Sequence, residues 1–313
     1  MAADLHAGPD GFYRRGRGPA QDFRTASTLA PDLLADAFAA LLARLPPGCA
    51  AEVVEVGAGT GALLAALAER VGESVALLGV EQRPRPPTLP SRVGWAATPP
   101  DRVRGLLLGV EWLDTVPVDV VVDGRVLEVA PDGTERTGAT PGPRDAAWLA
   151  RWWPGGSTPG ARREVGRRRD EVWADAVARV ECGVALAVDY GHRLPDRPDG
   201  GTLRAYAAGR PVPLRPGTTH DVTADVAWDA VQAAVAATVP NGRTVLVEQR
   251  QALAELGLSA ALPRRDDPDP ARALQRAGRA RLLLDPAGLG RFGWCATAVG
   301  VPAEVLPGRA SLE

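Results

Sequence analysis

Glu55-Val56-Gly57-Ala58-Gly59-Thr60-Gly61 is the stretch on which the fold turns. The run before it, Glu52 to Val56, is short and apolar. The run after it, from Ala62 to about Val71, reads as a helix. A strand that ends in a glycine cluster and passes straight into a helix opens a buried parallel α/β sheet. Glycines at such a turn let the chain bend tightly and let a ligand come close to the backbone. A second strand, Val75 to Val80, carries Glu81 at its end, about 24 residues after Gly57.

The spacing of the loop is G-x-G-x-G rather than the G-x-G-x-x-G of dinucleotide sites, where a pyrophosphate lies against a helix N-terminus. S-adenosylmethionine has no phosphate. Its cationic amino-acid end favours a carboxylate at the strand end, where Glu55 stands. Glu81 suits the two ribose hydroxyls, because a carboxylate can accept both. Glu55, Gly57, Gly59, Gly61 and Glu81 are therefore the candidate cofactor residues. A glycine turn followed by a surface acid, or a nicotinamide dinucleotide site that would also use Glu81, are the alternatives.

The same rhythm continues outward. Leu33, Leu34, Ala37, Phe38, Leu41 and Leu42 form a helical stripe from Pro31 to about Leu45, which Pro46-Pro47-Gly48 stops. Gly105 to Val110 is a third strand, followed by Glu111 and Asp114. Val118 to Val122 and Arg125 to Val129 read as a hairpin about Asp123-Gly124. Helices are expected around Trp148, Trp152 and Trp153, over Arg162 to Arg179, over Ala224 to Thr238 and over Arg272 to Leu284. Strands are expected at Gly183 to Val188, Thr244 to Val247 and Arg291 to Val299. Alternating strands and helices predict a mostly parallel sheet covered on both faces. Residues 1–30 read as an N-terminal arm and 31–313 as one domain. The stretch 131–179 breaks the rhythm and is the candidate helical insertion.

Composition narrows the function classes. The net charge of −2 offers no field for nucleic acid, and all 36 basic residues are Arg. Such an arginine count, beside many Ala, Gly and Pro, is what a GC-rich genome produces, so it does not by itself signal phosphate recognition. Cys49, Cys182 and Cys295 are odd in number and far apart, which suggests small buried side chains rather than disulfides or a metal site. His6, His192 and His220 form no zinc-ligand pair. No membrane span or signal peptide is visible, so the expected setting is cytoplasmic and reducing.

Several separated segments together resemble the MidA-like methyltransferase family, which includes the mitochondrial arginine methyltransferase that assists respiratory complex I assembly. They are Gly11-Phe12-Tyr13, Asp22-Phe23-Arg24-Thr25, the loop Glu55 to Gly61, and Glu111-Trp112-Leu113-Asp114-Thr115-Val116-Pro117-Val118. Further on come Asp189-Tyr190-Gly191, Gly201 to Tyr206, Asp221 to Val226, Glu248-Gln249, and Leu283, Pro286, Gly288, Gly290 and Phe292. The sequence departs from the family pattern at Val110, where Asn is usual, at Glu248, where Thr is usual, and at Ala58, where Pro is common.

The resemblance implies a Rossmann-like class I methyltransferase sheet, S-adenosylmethionine as cofactor, and a protein substrate presenting an arginine. It adds Thr25 to the cofactor candidates, with helix capping as its other reading. Glu111 and Asp114 are the candidate catalytic pair. A planar guanidinium is held well by carboxylates, and both acids follow a strand end, where open α/β sheets place ligands. Capping by Glu111 and a turn role for Asp114 are the competing readings. A small-molecule methyltransferase, or a non-catalytic assembly protein on the same fold, stays open as an alternative. No metal, nucleic-acid or membrane partner is expected, and nothing in the sequence speaks to oligomeric state.

Overall fold

In the computed structural model, which describes residues 25–130, 132–155, 158–215, 220–260 and 268–308, the apolar runs around the glycine loop become one seven-stranded sheet. Its strands are β1 (Glu52–Val56), β2 (Ala76–Val80), β3 (Val93–Ala96), β4 (Val103–Val110), β5 (Val180–Asp189), β6 (Arg243–Glu248) and β7 (Gly293–Val299). The spatial order is β6-β7-β5-β4-β1-β2-β3. β7 runs antiparallel to both of its neighbours, and the remaining pairings are parallel. This confirms the mixed, mostly parallel α/β reading. β1 lies between β2 and β4, so the chain order reverses there, and the carboxyl ends of β1 and β4 flank the crevice that such a reversal opens.

Among the described residues, five helices belong to the same unit: α1 (Ala26–Leu29), α2 (Pro31–Leu42), α3 (Ala62–Ala68), α4 (Gln249–Glu255) and α5 (Pro270–Leu284). The predicted stripe of α2 is buried, with Leu33, Leu34, Phe38 and Leu41 fully enclosed. Each such side chain contributes about 1.5–3 kcal/mol. Phe38 meets the Trp294 ring at 5.4 Å. Gln249 is wholly buried and satisfied: its amide donates to the carbonyls of Leu283 (3.2 Å) and Leu289 (3.0 Å) and accepts from the Trp294 indole (3.1 Å). The Glu248-Gln249 segment thus ties α4 and the end of α5 to β7.

A second unit comprises Trp112–Asp175 and Tyr190–Pro240. It is broader than the 131–179 insertion read from sequence, and it is not wholly helical. Its four-stranded antiparallel sheet runs in the order 135–137, 125–129, 119–122, 162–165, with helices Pro143–Trp152 and Trp228–Thr238 beside it. Val121, Trp148, Leu149, Trp153, Val165, Ala227 and Ala230 form one of its core clusters. The Trp148 and Trp153 rings are buried packing residues, and Trp152 is partly buried.

Four local readings are corrected. Arg162–Val165 is a strand, and the helix spans only Arg167–Val177, because Asp119–Val122 supplies an antiparallel partner that local periodicity does not reveal. The helix expected from Ala224 begins at Trp228, after two short strands. The arm does not extend to residue 30: Ala26 and Ala30 are fully buried around helix α1, while residues 1–24 lie outside the described residues. Finally, Cys49 and Cys182 form a disulfide, with Cα atoms 5.3 Å apart across 133 residues. Both are buried, as expected, but the fold brings the loop before β1 against the start of β5, a proximity that spacing cannot show. Cys295 is buried and outside any disulfide. No helix among the described residues is long and apolar enough to cross a membrane.

The disulfide predicts two measurable properties. The denatured, unreduced protein should titrate one thiol, and three after reduction. Cys182→Ser should lower stability to urea by about 2–4 kcal/mol, with reductant having the same effect on the wild type. Three thiols without reductant would show that the bridge does not form.

Candidate cofactor site

The glycine loop is a turn that only its glycines can make comfortably. Gly57, Gly59 and Gly61 have φ of 71°, 57° and 71°, in the left-handed region that other residues enter at a cost of about 1–2 kcal/mol. Gly61 also caps α3 and packs tightly: a Cβ there would stand 2.7 Å from the Leu89 side chain and 3.3 Å from the Trp95 ring. At Gly59 the surroundings are looser. A Cβ would lie 3.7 Å from the Arg83 guanidinium, so backbone strain and the space beyond the Cβ govern what fits there.

Parallel register brings the acids together. β1 and β2 pair Glu55 with Gly79 and Val56 with Val80, and the amides of Gly57 and Ala58 donate to the Val80 carbonyl at 2.9 and 3.3 Å. Glu81 therefore emerges beside the loop and accepts the Gly59 amide at 2.9 Å. Glu55 is only 3% exposed, and among the described residues its Oε2 has no hydrogen-bond partner. Burial pushes its carboxyl up to about 8, and the nearby Glu81 charge adds to the rise.

Glu111 ends β4. Its amide donates to the Val188 carbonyl of β5 at 2.8 Å, and its φ is 50°, unusual for a residue with a side chain. Its Oε1 accepts the Ala26 amide, the first N–H of α1, at 2.5 Å. The capping role is thus real. Thr25 also acts as a cap, with Oγ1 accepting the Thr28 amide at 3.2 Å; the helix it caps is α1, not α2. The signature residues 11–13 and 22–24 lie outside the described residues.

Asp114 belongs to the second unit, on the other side of a boundary that falls just after Glu111. It is buried rather than a solvated turn acid. Tyr190 donates its hydroxyl to Asp114 Oδ2 at 2.5 Å. Burial raises the Asp114 carboxyl to about 6; Asp221 pushes the same way, while Tyr190 and Arg169 pull it down. Arg169 is nearly inaccessible and donates to the carbonyls of Asp225 (2.8 Å), Asp114 (3.2 Å) and Val116 (3.3 Å). Glu164 accepts from the Thr202 amide, the Thr202 hydroxyl (2.6 Å) and the Leu203 amide (2.7 Å), while Thr202 Oγ1 takes the Asp225 amide at 2.8 Å. The motifs at Gly201 to Tyr206 and Asp221 to Val226 are therefore bound into one internal polar network. Sequence reasoning passed over Arg169 and Arg83, because a chain whose basic residues are all Arg gives no signal for the few that are buried.

A reversed parallel sheet with a glycine loop, a buried acid on its first strand and an acid after its second defines a nucleoside-binding methyltransferase architecture. A family model described as "Putative S-adenosyl-L-methionine-dependent methyltransferase" matches residues 33–244, and the chain belongs to that family. Among solved structures, the chain is similar to a Burkholderia thailandensis protein bound to S-adenosyl-homocysteine. The two are 25% identical over 96% of this chain and 86% of that one, with a TM-score of 0.79. An uncharacterized protein of the same superfamily, also from Burkholderia thailandensis, is 25% identical over the same shares, with a TM-score of 0.77. No curated protein matches the chain.

S-adenosylmethionine is the cofactor, and the residues suit it. The buried Glu55 carboxylate would take the cationic amino-acid end, Glu81 the ribose hydroxyls, and the glycines would admit the ligand to the backbone. When bound, the cofactor supplies an electrophilic methyl group.

Two predictions follow from this geometry. A cation beside Glu55 favours its carboxylate, so binding below about pH 8 releases a proton. S-adenosylhomocysteine affinity should rise between about pH 6 and 7.5 by up to about tenfold per unit, and Glu55→Gln should flatten the profile. In the free protein the sign is opposite. The raised pKa adds stability that is complete below 4.5 and lost as pH rises through about 8. Calorimetry showing a flat wild-type profile would reject the linkage. Gly59→Val should abolish cofactor binding, because its branched side chain must occupy the cradle beside Arg83; a folded variant with normal affinity would refute the placement.

Proposed function

We propose that this chain is a MidA-like enzyme that transfers a methyl group from S-adenosylmethionine to an arginine side chain of a protein, with Glu111 holding the acceptor guanidinium. The observation that carries the reading is the backbone of Glu111. A glutamate at φ 50° stands where Gly would be relaxed, at the carboxyl end of β4 beside the strand that bears the glycine loop. Strain of this kind, of order 1–3 kcal/mol, persists where a side chain is needed in one place. The MidA-like resemblance also has a Glu at this position.

In this reading Glu111 orients a planar cation through charge-assisted hydrogen bonds and keeps one nitrogen aimed at the methyl group. Positioning supplies most of the acceleration for an in-line displacement of this type. Transfer of the cofactor's methyl group to a guanidinium nitrogen releases one proton from that nitrogen, and the Glu111 carboxylate would accept it as a general base.

Glu111→Gln retains an oxygen for the Ala26 amide but removes the charge. It should leave S-adenosylhomocysteine affinity unchanged, cost little stability, and slow methyl transfer about 10- to 150-fold, equivalent to roughly 1.5–3 kcal/mol. The assay is transfer of labelled methyl into lysate protein from cells lacking this chain, followed by hydrolysis and chromatography for methylarginine. Label in another residue or in small molecules would overturn the arginine reading. Reduced stability with normal specific activity would reduce Glu111 to a helix cap.

A further inference from the structure

Arg83 stands two residues beyond Glu81, in a turn that the sequence presents only as Pro-rich, and its side chain is 15% exposed. Its backbone amide donates to Glu81 Oε1 at 3.1 Å, and its Nη2 donates to Oε2 at 3.3 Å. The Gly59 amide reaches that same Oε2. Glu81 is thus gripped from its own strand end on one side and from the glycine loop on the other.

The turn that carries Arg83 is itself anchored. The Trp95 indole donates to the Arg83 carbonyl at 2.9 Å. The same ring lies so close over β2 that a Cβ at Gly79 would stand 2.5 Å from it, and it also covers Gly61. β3, β2 and the glycine loop therefore share one aromatic plate, and the plate fixes where Arg83 begins.

Glu81 is 9% exposed at its side chain, so this ion pair is shielded from water and salt far better than a surface pair. A glutamate has three side-chain torsions to settle before it can accept two hydroxyls at once. Ordering it beforehand removes that cost from the binding step.

We propose that Arg83 is a positioning residue of the cofactor site, holding the Glu81 carboxylate in the orientation that receives the ribose. The proposal rests on the reading of Glu81 as the ribose acceptor. It assigns Arg83 no contact with the methyl group or the acceptor.

The test is calorimetric titration of S-adenosylhomocysteine and of its 2′,3′-dideoxyribose analogue into wild type, Arg83→Met, Arg83→Lys, Glu81→Gln and the Arg83→Met/Glu81→Gln double variant, with melting temperatures for each. Arg83→Met should weaken S-adenosylhomocysteine about tenfold or more, and Arg83→Lys should recover part of the loss. The dideoxy analogue should bind wild type and Arg83→Met alike. The double variant should bind no more weakly than Glu81→Gln alone. Equal weakening of both ligands by Arg83→Met, or no weakening of either, overturns the proposal. If Arg83→Met does not fold, Arg83→Gln takes its place under the same criteria. Failure of the underlying reading has a different signature: Glu81→Gln and wild type would bind S-adenosylhomocysteine equally, and wild type would not distinguish the two ligands.

Discussion

The parallel pairing of β1 with β2 on one side and β4 on the other is the constraint from which the site follows. A parallel ladder aligns strand ends in the same direction, so the residues after β1, β2 and β4 emerge along one edge of the sheet. Those residues are the glycine loop, Glu81 and Glu111. Moving one strand by a single residue would turn Glu55 from its enclosed position to the opposite face, since side chains alternate along a strand. The carbonyl of Val80 adds a local lock by receiving the amides of Gly57 and Ala58. Packing of Phe38 from α2 on the Trp294 ring, and the hydrogen bond from Trp294 to Gln249, then tie the helices to the sheet.

The charges in the core unit are arranged unevenly. Glu55 is buried, which is costly for a carboxylate and favours its neutral form. Glu81 stands nearby with Arg83 and two backbone amides. One acid is thus left responsive to an arriving cation, and the other is held ready as an acceptor. That pairing suits a cofactor with a positive amino-acid end and an uncharged ribose.

The second unit follows different rules. Its apolar packing is accompanied by an internal network in which Arg169, Glu164 and Thr202 satisfy loop backbone groups. Loops that long and Pro-rich need such partners, because a buried main-chain group without a hydrogen bond costs about 1–3 kcal/mol. The Asp189-Tyr190-Gly191 segment joins the two units in sequence. Asp189 completes β5, and Tyr190 donates to Asp114. The segment therefore has two roles, divided between neighbouring residues.

Much of this was legible in the chain itself. The glycine spacing, the acids at the ends of three apolar runs and the alternation of strands with helices are local patterns, and each is enforced by backbone geometry that operates within a few residues. That is why β1, β2, β4, β5 and the helical stripe of α2 could be read directly, together with the cofactor class. The Cys49–Cys182 bridge, the strand at Arg162–Val165, the extent of the second unit, the dual hold on Glu81 and the strained backbone of Glu111 were decided only by the tertiary structure. Each depends on a partner distant in sequence: β5, the Asp119–Val122 strand, the Gly59 amide, or the carbonyl of Val188. Local composition fixes what a segment can form by itself, whereas a pairing across tens of residues is selected by which surfaces the completed sheet brings within reach.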